Sequence, residues 1–418
     1  MRFVVTLLLI LFAAPYSQAA EPESPIVPGP WQKPPKLGRP KGSVVRVRTV
    51  NELQQSVANA RSNSTIMIEP GTYELTHTLH LNGGIQNVAL RGASDERDKV
   101  IIKGRGMRNK DYGSVPHGIM VSDATDVLIA NMSIGEVWNH PISLHPENGC
   151  QRVRMFNLRL FDAGEQFLKS NIDSKRQGVH KCTVEYCVFE YTDTAWHGYT
   201  QGMSVHGSRD WIVRNNFFRN IRGPKEDASV GGCIDFWNGS RNTLVEGNVI
   251  VNARMGIRFG IVRRENGLHE NEGGIVRNNI IWRQPGAVHA PDGGIMIWDS
   301  PGVKVINNTV ILNNTFDRGV IEYRWSDKIL IANNLIDGNV WKREETDGRE
   351  SDNILLKNQD VFVDARKGDF RLSPKAATIL RKLPLLSDCP GDIMRTKRLE
   401  QTAPGAYEFA KDMKKNGK

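Results

Sequence analysis

The chain has 418 residues, a formal net charge of +9 and five cysteines. Its length permits two or three ordinary domains, and its basic balance suits an acidic partner. So few cysteines in so long a chain, with no Cys-x-x-Cys pair, exclude a disulfide framework and a structural zinc site.

Met1 to Ala20 reads as a secretory signal: Arg2, an apolar run from Val4 to Ala14, then Ser17-Gln18-Ala19-Ala20 as the cleavage region. The run is too short to span a bilayer comfortably, and no later segment is a better candidate. A secreted or periplasmic protein without an integral membrane segment is expected. Export argues against nucleic acid and for an acidic polysaccharide as partner; a monomer is expected. Residues 21–48 read as an extended leader, rich in Pro, Gly and Lys up to Lys41. Thr49-Val50-Asn51-Glu52 then has the pattern of a helix capping box, with Leu53, Val57 and Ala60 at helical spacing. A helix there would lid the open end of a stacked structure. The first strand is expected at Thr65 to Glu69, before the turn Pro70-Gly71-Thr72-Tyr73.

From about residue 212 one phrase recurs: a short β-rich run, a polar corner, a second β-rich run. Its copies centre on Asn216, Asn248, Asn279, Asn308 and Asn334, at steps of 32, 31, 29 and 26 residues. A fixed period means a repeat architecture. No helical pattern separates the copies, and the step is short for a propeller blade of about 40–45 residues. One coil of a right-handed parallel β-helix per repeat remains. A corner inside stacked coils strands backbone groups away from water, and an asparagine amide can bond the coils above and below. Upstream, Met132, Leu158 and Cys187 hold the equivalent corner. The expected architecture is all-β: a three-sheet parallel β-helix over residues 49–341 with its N-terminal cap, then a C-terminal capping tail over 342–418.

The excess length of the coils falls mainly in loops after the second run of each phrase. Each loop leads into a short strand, as in Ile142-Ser143-Leu144-His145, Met203-Ser204-Val205-His206 and Ile234-Asp235-Phe236-Trp237. Alternation directs Ile142, Leu144, Met203, Val205, Ile234 and Phe236 inward. It leaves His145, Lys169, His206, Asp235 and Arg258 as one outward column of ionisable groups, one coil apart. Trp237 faces out beside them, and the loops carrying Trp138, His140, Trp196, His197 and Tyr199 would wall a groove.

The Ile68-Glu69-Pro70-Gly71-Thr72-Tyr73 opening, the Asn-Asn coils and the closing Gly368-Asp369-Phe370-Arg371-Leu372-Ser373-Pro374 with Gly405-Ala406-Tyr407-Glu408 resemble the secreted bacterial right-handed β-helix proteins. Two coils carry a narrower similarity, to the chondroitinase B and alginate lyase family of polysaccharide lyases. There, acidic calcium ligands precede a Lys-Ser pair, and a later coil carries Arg-His-Gly before an Asn-rich corner. Here Asp162-Ala163-Gly164-Glu165 precedes Lys169-Ser170, and Val205-His206-Gly207 precedes Asn215-Asn216-Phe217. The resemblance implies Lys169 as catalytic base and Asp162 and Glu165 as Ca2+ ligands. The chain departs from the pattern where Glu165 is shifted by one residue. Val205 also stands in place of the arginine thought to protonate the leaving group, so His206 or Arg258 would have to substitute.

β-Elimination from a uronic acid needs a cation on the carboxylate, a base for the C5 proton and an acid for the departing O4. Lys169 would be the base and Arg258 the cation, with His206 or His145 as acid. His145, Asp235, Trp237, Trp196, His197 and His140 would bind the saccharide. Two alternatives stand beside this reading. A glycoside hydrolase or epimerase could use the same fold, and so could a non-catalytic glycan-binding solenoid.

Overall fold

Each copy of the phrase folds as two short strands hinged at a two-residue corner, Asn-Asn in four copies and Gly247-Asn248 in the second. The computed structural model describes residues 33–409 apart from 226, 228–230, 266 and 345; the expected signal segment and the start of the leader lie outside the described residues. Within a pair the two positions divide the work. The first residue takes a left-handed backbone, φ 54° at Asn215, 55° at Asn278, 52° at Asn307 and 56° at Asn333. That conformation is costly for most side chains and tolerated by asparagine. In the second copy Gly247 serves the same purpose at φ 64°.

The second residue is fully buried and builds the ladder. Asn248 accepts at Oδ1 from Asn216 N (3.1 Å) and Nδ2 (2.9 Å), and its own Nδ2 donates to Val213 O and to Asn279 Oδ1. Asn279, Asn308 and Asn334 repeat the scheme. At the upper end Asn216 Oδ1 takes the amide of Cys187, where the apolar corner begins. In the earlier coils the strands Leu128–Val137 and Arg154–Ala163 pass unbroken through the corner, with Met132 and Leu158 inside it.

Among the described residues, two faces of the solenoid are built by the first and second runs, which pair in register from coil to coil. A third face is a parallel sheet of ten strands running from His77–Leu81 to Val340–Lys342. One apolar core extends from Val47 to Ile336. All five cysteines are buried and unpaired.

The N-terminal cap forms as expected. A helix, Val50–Ala58, starts at Thr49, with both halves of the capping box present and Leu53 and Val57 buried. Part of the expected leader is not a leader: strand Ser43–Val47 pairs in parallel with Ser64–Ile68 and opens the sheet. At the other end the stack runs beyond residue 341. Strands Gly348–Ser351 and Ile354–Leu355 continue the two faces, and Asn353 adds a rung, accepting from Asn334 Nδ2 at 2.9 Å. Phe362, Phe370, Leu372, Ala403 and Tyr407 lie along one flank, against the outward Val249, Val251, Trp282, Ile311 and Leu335 of the second-run strands.

Candidate functional site

Register in the third sheet sorts the candidate residues. Leu168, Met203, Ile234 and Ile257 pair one above another and point inward. The next position gives an outward column of Ser143, Lys169, Ser204, Asp235 and Arg258. His206 pairs with Trp237 two positions further on, and His145 stands two residues beyond Ser143. The single expected column is therefore two adjacent ones, because the 143 and 204 coils carry serine at the first outward position and histidine at the second.

The two columns meet at Lys169. Its Nζ lies 2.8 Å from His206 Nε2 and 3.4 Å from Ser204 Oγ. His206 lies against Trp237 with ring centroids 4.2 Å apart, and Trp237 Nε1 donates to Ser204 Oγ. Burial pushes the Lys169 amine down to about 8, although the carboxyls of Glu165 and Asp235 favour its charged form. Burial, then the charges of Lys169 and Arg264, push His206 down to about 3. At neutral pH the pair is a neutral imidazole against an amine within reach of deprotonation, a combination suited to general-base work.

Asp235 and Arg258 have a different task. Arg258 donates to both carboxylate oxygens, NH2 to Oδ2 at 2.6 Å and Nε to Oδ1 at 3.2 Å. Gln201 Nε2 and the amide of Gly232 complete the shell of Asp235, which is fully buried. Burial raises the Asp235 carboxyl and Arg258 opposes the rise. The expected use of Arg258 as a clamp on a substrate carboxylate meets a competing partner: the Nε and Nη2 donors of its guanidinium are taken by Asp235. The lysine is likewise depressed by burial, not by Arg258.

His140 is buried beneath the groove instead of lining it. Its Nδ1 faces Gln166 O at 2.9 Å, its ring stacks on His117 at 5.1 Å, and its Nε2 is 3.4 Å from Glu165. It anchors the segment that delivers Lys169. His145 is half-buried and bonds Ser143 Oγ at 3.0 Å. Trp196 and His197 belong to an aromatic ridge, Tyr112–Trp138–Trp196–His197, with successive centroids 5.5, 4.8 and 4.3 Å apart. The ridge borders the edge at which the third-sheet strands begin.

The two expected calcium ligands do not converge. Asp162 accepts from the amide of Thr192 at 2.8 Å and from its hydroxyl at 2.5 Å, while Glu165 faces His140. Among the described residues no group of three or more His, Cys, Asp or Glu side chains could hold a metal ion.

Opposite the aromatic ridge, loops leaving the third sheet bring residues that sequence reasoning missed. Asn238 Nδ2 is 3.3 Å from His206 Nδ1, and Asn238 Oδ1 accepts from Arg176 and, at 2.9 Å, from Arg264. Arg264 also pairs with Glu270. Further along, the Arg324 guanidinium lies over two indoles, its Cζ 3.7 Å from the ring centroid of Trp298 and 3.9 Å from that of Trp325. A separate cavity of about 700 Å3, between the 282–287 loop and the tail, is lined by amides and two arginines with no acid or histidine.

The model of the right-handed β-helix region matches residues 159–336. The chain folds as a right-handed β-helix. Its coils superpose on the catalytic unit of a thermostable α-1,3-glucanase from Streptomyces thermodiastaticus with a TM-score of 0.53 at 15% identity, covering 76% of this chain and 62% of that one. The surface adhesin PfbA of Streptococcus pneumoniae gives 0.49 at 12%, covering 72% and 87%. An alginate lyase from Paenibacillus sp. gives 0.41 at 12%, covering 74% and 98%. Such identities establish the fold alone. The search of curated proteins gives no match. Among the described residues of this β-helix protein, no helix is long and apolar enough to cross a membrane.

The signal that would have found Arg176, Asn238 and Arg264 is faint. They sit in the loops after the third-sheet strands, and only the longer loops before those strands stand out by length.

Proposed function

We propose that the protein is an exported lyase that cleaves an acidic, uronate-containing polysaccharide by β-elimination, with Lys169 as base. The observation that carries this reading is the half-buried Lys169 amine, depressed to about 8 and 2.8 Å from His206 on an open sheet. The neutral amine takes the C5 proton, the C4–O4 bond breaks as the C4–C5 double bond forms, and O4 leaves. The ammonium so formed is the nearest acid to return a proton to O4. The cation for the uronate carboxylate comes from Arg176 and Arg264, whose guanidinium groups border His206 through Asn238. Loss of the C5 proton builds negative charge on that carboxylate, so a fixed cation there lowers the barrier most where charge develops. The Trp237 face and the Trp298–Arg324–Trp325 stack extend the same surface for neighbouring sugar units. Neither calcium nor Arg258 enters this scheme.

A glycoside hydrolase would need two accessible carboxyls about 5–9.5 Å apart. Asp235 is sealed by Arg258, Gln201 and Gly232, and Glu322 is paired with Arg343 at 2.9 Å, which favours the lyase. Incubation with a panel of acidic polysaccharides, following ultraviolet absorbance of the unsaturated product, tests the proposal. A rise with one substrate supports it. New reducing ends without that absorbance mean hydrolysis, and silence on both means a binding solenoid.

A further inference from the structure

We infer that Asn238 is a positioning residue that fixes the tautomer of His206 and thereby favours the free amine of Lys169 over its ammonium. The inference deepens the assignment of Lys169 as base, and its catalytic meaning rests on that assignment. A guanidinium only donates, so the two arginines that meet Asn238, Arg176 and Arg264, must face its oxygen. The amide is then oriented with no freedom to flip, and Nδ2 is the atom presented to His206 Nδ1 at 3.3 Å. An NH2 group only donates, so Nδ1 must be the bare, accepting nitrogen of the ring. In a neutral imidazole the proton then sits on Nε2.

Nε2 is the nitrogen that faces Lys169 Nζ at 2.8 Å. An N–H aimed at an ammonium sets donor against donor; an N–H aimed at a free amine makes a hydrogen bond to its lone pair. With the proton on Nε2, the contact to Lys169 Nζ is a hydrogen bond only when the lysine has lost its proton; against an ammonium the ring N–H is left with Ser204 Oγ, at 3.3 Å. Other groups facing the pair bear on its charge in known directions. Glu165 and Asp235 favour the ammonium; His140 disfavours it; Asp235 is itself engaged by Arg258. Arg264 disfavours a charged His206 and is paired with Glu270. The same mismatch of donors that favours the free amine pushes a captured proton onward, toward the leaving oxygen.

The backbone at Asn238 is left-handed, φ 61°, so aspartate and glycine are the replacements that keep its shape. In Asn238→Asp a carboxylate accepts where the amide donated, the ring proton moves to Nδ1, and Nε2 becomes an acceptor for ammonium. Asn238→Gly removes the amide without adding charge and leaves the tautomer unspecified. Two measurements on the full chain need no substrate. Nitrogen-15 NMR of histidine-labelled protein reads which nitrogen of His206 is protonated. Competitive labelling with trace acetic anhydride, read by mass spectrometry across pH, reads the titration of Lys169. The wild type is expected to show a bare Nδ1 and a labelling midpoint near 8. Asn238→Asp is expected to move the proton to Nδ1 and to cut the free-amine fraction at pH 7 about tenfold, one unit of pKa. Asn238→Gly is expected to fall between, with unchanged thermal unfolding. A wild-type His206 protonated on Nδ1, or a Lys169 midpoint that neither variant moves, overturns the inference. If the proton arrangement is as stated and no polysaccharide is cleaved, the lyase reading falls and the relay stands.

Discussion

Arg258 bridges both oxygens of Asp235 on the outward side of the third sheet, and neither side chain is more than a tenth exposed. The pair joins two adjacent coils and holds Gln201 and Gly232 in place through the carboxylate. Removing one partner of a buried pair leaves an uncompensated charge, which costs about 3–5 kcal/mol. Arg258→Ala is therefore expected to lower the urea midpoint sharply, with any loss of turnover following the loss of fold. Arg258→Met combined with Asp235→Leu should recover most of that stability, since a well-filled apolar pair can replace a buried ionic one. Equal destabilisation in the single and double variants would show that the ion pair is not what the coils depend on.

The ladder makes a second, independent claim. Asn279 accepts from the backbone and side chain of Asn248 and donates to Val245 O and Asn308 Oδ1. Asn279→Leu strands those buried groups at about 1–3 kcal/mol each. A loss of several kcal/mol is expected by chemical denaturation. Asn353→Ala, on a partly exposed terminal rung with a single rung neighbour, is expected to cost much less. Similar losses at the two positions would contradict the stacking account.

Much of the solenoid could be read from the chain because its repeat is enforced by a requirement that recurs every coil. A left-handed corner followed by a buried amide writes Asn-Asn again and again, so Asn215-Asn216 through Asn333-Asn334 announce the fold. The rung at Asn353 escaped notice because its coil is shortened to 19 residues and its first corner residue is Asp352, φ 58°. The site was legible only in part. Alternation put Lys169, Asp235 and Arg258 outward, but a one-dimensional pattern cannot say which outward group a loop then covers. Asp235, Arg258 and His140 are buried by segments distant in sequence. Asn238, Arg176 and Arg264 meet only because three loops close on one edge of the sheet.

Buried histidines set the acid limit of the fold. Burial pushes His117 down to about 4 and His206 to about 3, and holds His140 well below its ordinary value. Unfolded, each titrates near 6.5. Below that pH the unfolded chain binds protons that the folded one refuses, so stability is full above about 6.5 and is lost as pH falls toward 4. His117 alone accounts for about 2 kcal/mol by pH 5, at 1.36 kcal/mol per unit. The urea midpoint should drop between pH 7 and pH 5, and His140→Gln should flatten that dependence. A midpoint independent of pH over this range would sink the claim.

In the proposed scheme the Trp298–Arg324–Trp325 stack bears on binding and leaves the chemistry alone. Arg324 lies over two indoles in cation–π contacts, each worth about 0.5–2 kcal/mol, and has no ion-pair partner among the described residues. Trp298→Ala frees the guanidinium and removes one face of the platform. Affinity for an acidic oligosaccharide, measured by calorimetry in the Lys169→Ala background, is expected to fall about threefold to tenfold, on the scale of one such contact. Unaltered affinity would confine the bound chain to the region around His206 and Trp237.

The sharpest test is at Lys169. A half-buried, outward lysine contributes little to the core, so Lys169→Ala should fold and bind polysaccharide much as the wild type does. Turnover should fall by about 100-fold to 10,000-fold, the range that a positioned general base supplies. Because the free amine is the active form, wild-type kcat/KM should rise with pH and level off above a midpoint near 8. Lys169→Arg keeps the charge but cannot deprotonate, so it should be as inactive as the alanine variant while binding the acidic chain at least as well. Binding and kcat thus separate: a base lost from the transition state lowers kcat without raising KM, whereas a lost ground-state contact does the reverse. If Lys169→Ala retained full eliminase activity with an unchanged pH profile, the proton would have to be taken by another group. His206, with its imidazole at the meeting point of the two columns, would be the first to replace.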